Sequence, residues 1–146
     1  MSGKRIIVHS LDDARAALAV AVELKTAVTL ASAHGAGGYA GPLWFKAMIA
    51  AATAEFPEAE VTAVLDCADE AGTVLQALRH GLKCVRFTGN AAALKRLRAI
   101  AGELGATIET VRAPAALDLR EAPDPKAAAR AYLAAVPAKR RTRRRK

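Results

Sequence analysis

Aromatic side chains are scarce in this chain: one tryptophan, two tyrosines and three phenylalanines make up 4% of 146 residues. They do not interleave with basic residues along the body, which argues against a nucleic-acid module there. Cysteine is scarcer still. Cys67 and Cys84 each fall in or beside an expected strand, without CxxC or Cys/His spacing, so the sequence implies free thiols and no metal site. Long apolar runs are also lacking. The most apolar stretch, Ala16 to Ala33, is interrupted by Glu23 and Lys25, whereas a membrane-spanning helix needs roughly 18 to 20 continuous apolar residues. The opening "MSGKRIIVHSLDD" has a charged start followed by a short apolar run and gives no support for a secretory signal. The resulting expectations are no membrane, no cofactor and a cytoplasmic location.

What is present is enough apolar material, 53% of the residues, for one substantial core. The length is short for two ordinary domains. The formal charge of +8 is concentrated at one end, because Lys139, Arg140, Arg141, Arg143, Arg144, Arg145 and Lys146 lie together in "KRRTRRRK". Those seven belong to a total of 22 basic residues, so the remaining 15 nearly balance the 14 acidic ones. The expected organisation is a single α/β domain over 1–136 and a basic, disordered tail over 137–146. Such a tail would hold nucleic-acid phosphates non-specifically and with a steep salt dependence.

Short β-branched runs alternate with longer alanine- and leucine-rich ones, which predicts five largely parallel strands alternating with helices. The expected strands are Arg5–His9, Ala27–Ala33, Glu60–Asp66, Lys83–Gly89 and Thr107–Val111, with helices at Leu11–Leu24, Pro42–Glu55, Glu70–His80 and Ala91–Leu104. Ser10 and Asn90 suit helix caps, Pro42 a first helical position, and Gly81 and Gly105 left-handed stops. Residues 113–136 read as an irregular arm plus a final helix from Pro125 to Val136. Trp44, Phe45 and Met48 have the spacing of side chains that pack on the sheet.

Side-chain alternation divides the strands into an apolar face and a mixed one. Ile6, Val8, Val28, Leu30, Leu65, Val85, Phe87 and Ile108 share the first. Ile7, His9, Thr29, Ala31, Val64, Asp66, Arg86, Thr88 and Glu109 share the second, with Arg86 and Glu109 expected to pair on neighbouring strands. A doubly wound sheet needs apolar residues on both faces, so the pattern favours a half-TIM-barrel with helices outside. The alternative is a flavodoxin-like three-layer sheet of order 2-1-3-4-5. An open half-barrel needs cover, either from the arm or from a second copy in a homodimer.

Ligands of parallel βα folds bind at the carboxyl ends of the strands. There the sequence places His34, Gly35, Gly37, Gly38 and Tyr39 after the second strand, and Thr88, Gly89 and Asn90 after the fourth. With Arg86 and Glu109 they are the candidate ligand-binding residues, for a small anion. The loop "HGAGGYAGP" fits neither G-x-x-x-x-G-K-[ST] nor G-x-G-x-x-G. Free amides ahead of a helix could still hold an anion. Weak catalytic candidates are Asp66 as a base, with Cys67 or His34 beside it. Asp69 reads as a turn or cap residue, and His80 as a helix C-terminal residue stabilised by the helix dipole.

The segment "AVTLASAHGAGGYAGPLWFKAMIAAATAEFP" resembles the second strand, Tyr-Ala-Gly loop and following helix of class II, metal-dependent fructose-bisphosphate aldolases. "VTAVLDCADEAGTVLQALRHGLKCVRFTGN" and "LKRLRAIAGELGATIETV" are similar to the two stretches that follow in that family, and the likeness spans roughly Lys4 to Val111. The resemblance implies the N-terminal half of a TIM barrel. It puts Asp66 at the family's catalytic aspartate, Cys67 where a zinc-binding histidine belongs, Glu109 at the first glutamate of Val-Glu-Ala-Glu, and Val111 at the metal-binding second one. Too few ligands remain for zinc chemistry. The reading that follows is a non-catalytic, aldolase-like half-barrel with a structural or small-anion-binding role. The alternatives are a nucleic-acid-associated protein acting through the tail, and a lyase using Asp66 with Cys67 or His34.

Overall fold

The computed structural model describes residues 3–112 and 114–135. The strands are β1 (Lys4–Ile7), β2 (Val28–Ala31), β3 (Val61–Asp66), β4 (Cys84–Arg86), β5 (Thr107–Glu109) and β6 (Leu117–Asp118). The helices are α1 (Leu11–Leu24), α2 (Ala36–Tyr39), α3 (Pro42–Glu55), α4 (Ala71–Arg79), α5 (Ala91–Glu103) and α6 (Pro125–Ala134). Local chemistry sets the helix ends. Ser10 Oγ accepts from the Asp13 amide at 3.1 Å, Asn90 from Ala93 at 2.8 Å and Asp124 from Ala127 at 3.1 Å, each satisfying a first-turn amide. Gly81 and Gly105 lie beyond α4 and α5 at φ 88° and 69°, where a Cβ would be strained. Lys25 does the same for α1 at φ 53° without being a glycine.

All six strands are parallel, in the order β5-β4-β3-β2-β1-β6. The flavodoxin-like order is therefore not the one adopted. Right-handed crossovers taken always in one direction put every helix on the same side of the sheet. The core reflects that one-sidedness. Ile6, Val8, Leu30, Leu65, Val85 and Phe87 cluster with Leu18, Phe45, Val74 and Leu97 from the helices. Phe45 and Met48 are buried as expected, but Trp44 is turned partly to solvent. The Tyr39 loop contains the short helix α2 rather than a simple turn.

The other face is concave. Strands β1 and β5 are four positions apart, about 19 Å in a flat sheet, yet Arg5 on β1 and Glu109 on β5 form an ion pair at 2.8 Å. No such pair can form unless the sheet curls. Both side chains are mostly enclosed, and apart from Arg5 Nη1 the buried Glu109 Oε1 has no donor. This corrects the expected Arg86–Glu109 pairing. Those two are register partners on β4 and β5, but Arg86 turns to Asp66 and Glu109 reaches across to Arg5.

The arm is also more ordered than its composition suggests. Leu117 and Asp118 pair with Ile6 and Ile7 as β6, closing the edge of β1 that would otherwise stand unpaired. His9 Nε2 lies 2.6 Å from Asp118 Oδ1. Partial burial opposes the charged form of Asp118, but this contact and the Arg120 amide outweigh it and hold the carboxyl below its usual range. Leu119 and α6 then return to the helical layer, where α6 packs on α1. The expected end of that helix at Val136, like the basic segment 137–146, lies outside the described residues.

Glu109→Ala would leave the Arg5 guanidinium desolvated and unpaired. We expect it to lower the unfolding free energy by about 2 kcal/mol, between the values for buried and exposed pairs. Urea denaturation measures this. The double change Arg5→Met with Glu109→Met should recover most of the loss, and a single-variant loss no larger than that of an exposed pair would show the curl to be independent of this contact.

Candidate functional site

The curl produces a cavity of about 380 Å³ on the concave side, opening at the carboxyl ends of the strands. Its floor is a row of apolar side chains in register across three strands: Ile7, Ala31 and Val64. Beside the floor stand Asp66 and Arg86, with Thr88 just beyond β4 and His34 just beyond β2. Arg5 lies on the same face, and Arg112 and Pro114 of the arm form a further wall.

Asp66 is the best-connected group in this cavity. Its Oδ1 accepts from the Gly35 amide at 3.0 Å and the Ala68 amide at 2.8 Å, while Oδ2 pairs with Arg86 Nη1. Its own amide donates to Ser32 Oγ at 2.9 Å. The carboxylate is almost fully buried, and burying a charge requires such partners. Holding Gly35, the turn at Ala68 and β4 together, it behaves as a tie between elements. His34 Nδ1 is 3.6 Å from Oδ1, too far for a hydrogen bond, and its ring is largely in solvent.

Arg86 is held from two sides. Nη1 meets Asp66, and Nε donates to the Val111 carbonyl at 2.6 Å, leaving Nη2 without an acceptor among the described residues. The Thr88 hydroxyl and the Arg112 guanidinium likewise make no hydrogen bond within the described structure, although the Thr88 amide is fixed by Ala68 O at 2.8 Å. The cavity therefore offers free donors, whereas its carboxylate, Asp66, is already engaged.

The other candidate residues fall elsewhere. Cys67 points to the helical side and is fully buried; burial, with Asp66 and Glu70 adding to it, pushes its thiol up to about 12. A thiol so protonated is a poor nucleophile. The amides of Gly35, Ala36, Gly38, Tyr39, Ala40 and Gly41 all donate within the protein, so the glycine loop keeps few amides for an anion. Gly37 serves close packing, because a Cβ there would meet Cys67 Sγ and a Thr73 methyl at 3.0 Å each. Tyr39 is exposed and borders a different hollow, near Trp44 and His9. Asn90 caps α5, and neither it nor Gly89 lines the cavity. Glu109 contributes by holding Arg5. Among the described residues no three His, Cys, Asp or Glu side chains converge as a metal site.

Two charged lining residues escaped the sequence reading. Arg5 has the same strand parity as Ile7 and could have been found by extending the alternation two residues back. Arg112 carries no local signal, because its place depends on where the arm crosses.

In the folded Cys84→Ser variant at pH 8, Cys67 should resist a thiol-specific reagent, and it should be labelled promptly once the chain is unfolded in denaturant. Mass spectrometry reads the result, and labelling at the same rate in both states would mean that the thiol is accessible and ionisable. Compared with known proteins, the chain matches no family model and no curated protein, so its site has to be read from its own chemistry.

Proposed function

We propose that this protein is a non-catalytic, aldolase-like half-barrel that binds a small anionic ligand in the concave cavity. One observation carries the reading: of the three arginines lining the cavity, Arg5 and Arg86 have carboxylate partners, and Arg112 has none among the described residues. A cavity with one surplus cation, free hydroxyl and guanidinium donors and an apolar floor is suited to hold an anion. The engagement of Asp66 by two amides and Arg86, together with the inward-facing, protonated Cys67, supports binding over lyase chemistry.

Small carboxylates and phosphates, screened by thermal shift, should include anions that raise the Tm of the full chain, because a ligand specific for the folded state stabilises it by mass action. Arg112→Gln, at an exposed position, should remove most of that shift while leaving the circular dichroism spectrum unchanged. If no anion stabilised the wild-type protein, the reading would fail.

A second reading rests on the seven cations at Lys139–Lys146. We propose that this segment associates with nucleic acid through phosphate contacts. Deleting 139–146 should abolish retention on a DNA or RNA column at low salt, and retention that survived the deletion would refute it.

A further inference from the structure

We infer that the ligand of the concave cavity is a monocarboxylate with a short apolar body, an inference that rests on the anion-binding reading above. The first argument is charge. Glu109 and Asp66 already neutralise Arg5 and Arg86, so one guanidinium charge, that of Arg112, remains for the ligand. A carboxylate monoanion balances it. A phosphate dianion would carry a second charge into a partly enclosed space with no further arginine or lysine in the lining to compensate it.

The second argument is the division of the lining. Ile7, Ala31 and Val64 stand side by side in register; Ala31 and Val64 are buried, whereas Ile7, like Pro114 of the arm, is only half-buried. They offer no hydrogen-bonding side chain, so a polyhydroxylated body laid over them would lose water without gaining partners. An alkyl or phenyl body would gain by covering the open apolar surface of Ile7 and Pro114. The free donors lie to one side of this row, at Arg86 Nη2, the Thr88 hydroxyl and Arg112. A planar guanidinium suits the two oxygens of a carboxylate. The volume of about 380 Å³ is at the small end of the range for ligand pockets.

Titration calorimetry on the full chain at fixed ionic strength tests this with hexanoate, phenylacetate, acetate, hexan-1-ol, glycerol 1-phosphate and inorganic phosphate. Hexanoate and phenylacetate should bind at least about tenfold more tightly than the other four, the difference expected for losing either the charged contact or the apolar one. Arg112→Gln should weaken hexanoate about tenfold. Ile7→Thr, which replaces the accessible part of the apolar floor by a smaller, hydroxyl-bearing side chain, should weaken hexanoate without weakening acetate. If that variant failed to fold, the ligand series and the exposed Arg112 position would still decide. Phosphates binding as tightly as hexanoate would overturn the monocarboxylate assignment and leave anion binding standing. Hexan-1-ol matching hexanoate, or no anion binding at all, would overturn both.

Discussion

Two strands that a flat sheet would hold about 19 Å apart are brought together across the concave face, and the site depends on that approach. Arg5 and Glu109 meet at 2.8 Å because the strands follow one another in a single direction and the helices fill one side. A sheet loaded on one side curls away from its helices, as in a complete barrel. Once it has curled, the polar side chains of β1, β3, β4 and β5 converge on a common space, and opposite charges can find each other across it. The same curl brings the ends of β5 and β1 near enough for the arm to pass between them, placing Arg112 and Pro114 over the cavity before β6 forms.

Asp66 performs a second tie at the open end of the strands. Ala68 adopts φ 51°, a left-handed conformation that costs about 1–2 kcal/mol for a residue with a Cβ. The Ala68 amide donates to Asp66, and its carbonyl accepts from Thr88, so the strained turn links β3 to the residues beyond β4. Asp66 also anchors the glycine loop through Gly35, itself at φ 72°. This aspartate is committed to holding three segments in place. Its chemistry is subordinate to its geometry.

Much of this architecture was legible in the chain. The five longer strands and the helices α1, α3, α4 and α5 appear with ends shifted by at most three residues, because Ser10, Pro42, Gly81, Asn90 and Gly105 punctuate them with local chemistry. The two-faced alternation of the strands pointed to helices on one side, and it placed Asp66, Arg86 and Thr88 on the concave face. What could not be read was non-local. A two-residue strand such as Leu117–Asp118 has no periodicity to detect, and Arg112 acquires its position only through the crossing of the arm. The partner of Glu109 was misread for the same reason: adjacency in the sheet suggested Arg86, whereas curvature supplied Arg5. The glycine loop looked open in sequence, but its amides are mostly used inside the fold.

The slightness of β6 bears on how firmly one wall of the cavity is held. Two residues in register, the Leu119 amide on Ile7 O and the His9–Asp118 contact hold the middle of the arm against β1. These are few and partly exposed interactions, the kind that open by local fluctuation well below the free energy of global unfolding. One wall of the cavity therefore adjoins the shortest strand of the sheet, while its floor belongs to longer, inner ones. A local opening of this kind would leave β1 to β5 and their helices intact. The wall would then yield before the floor does.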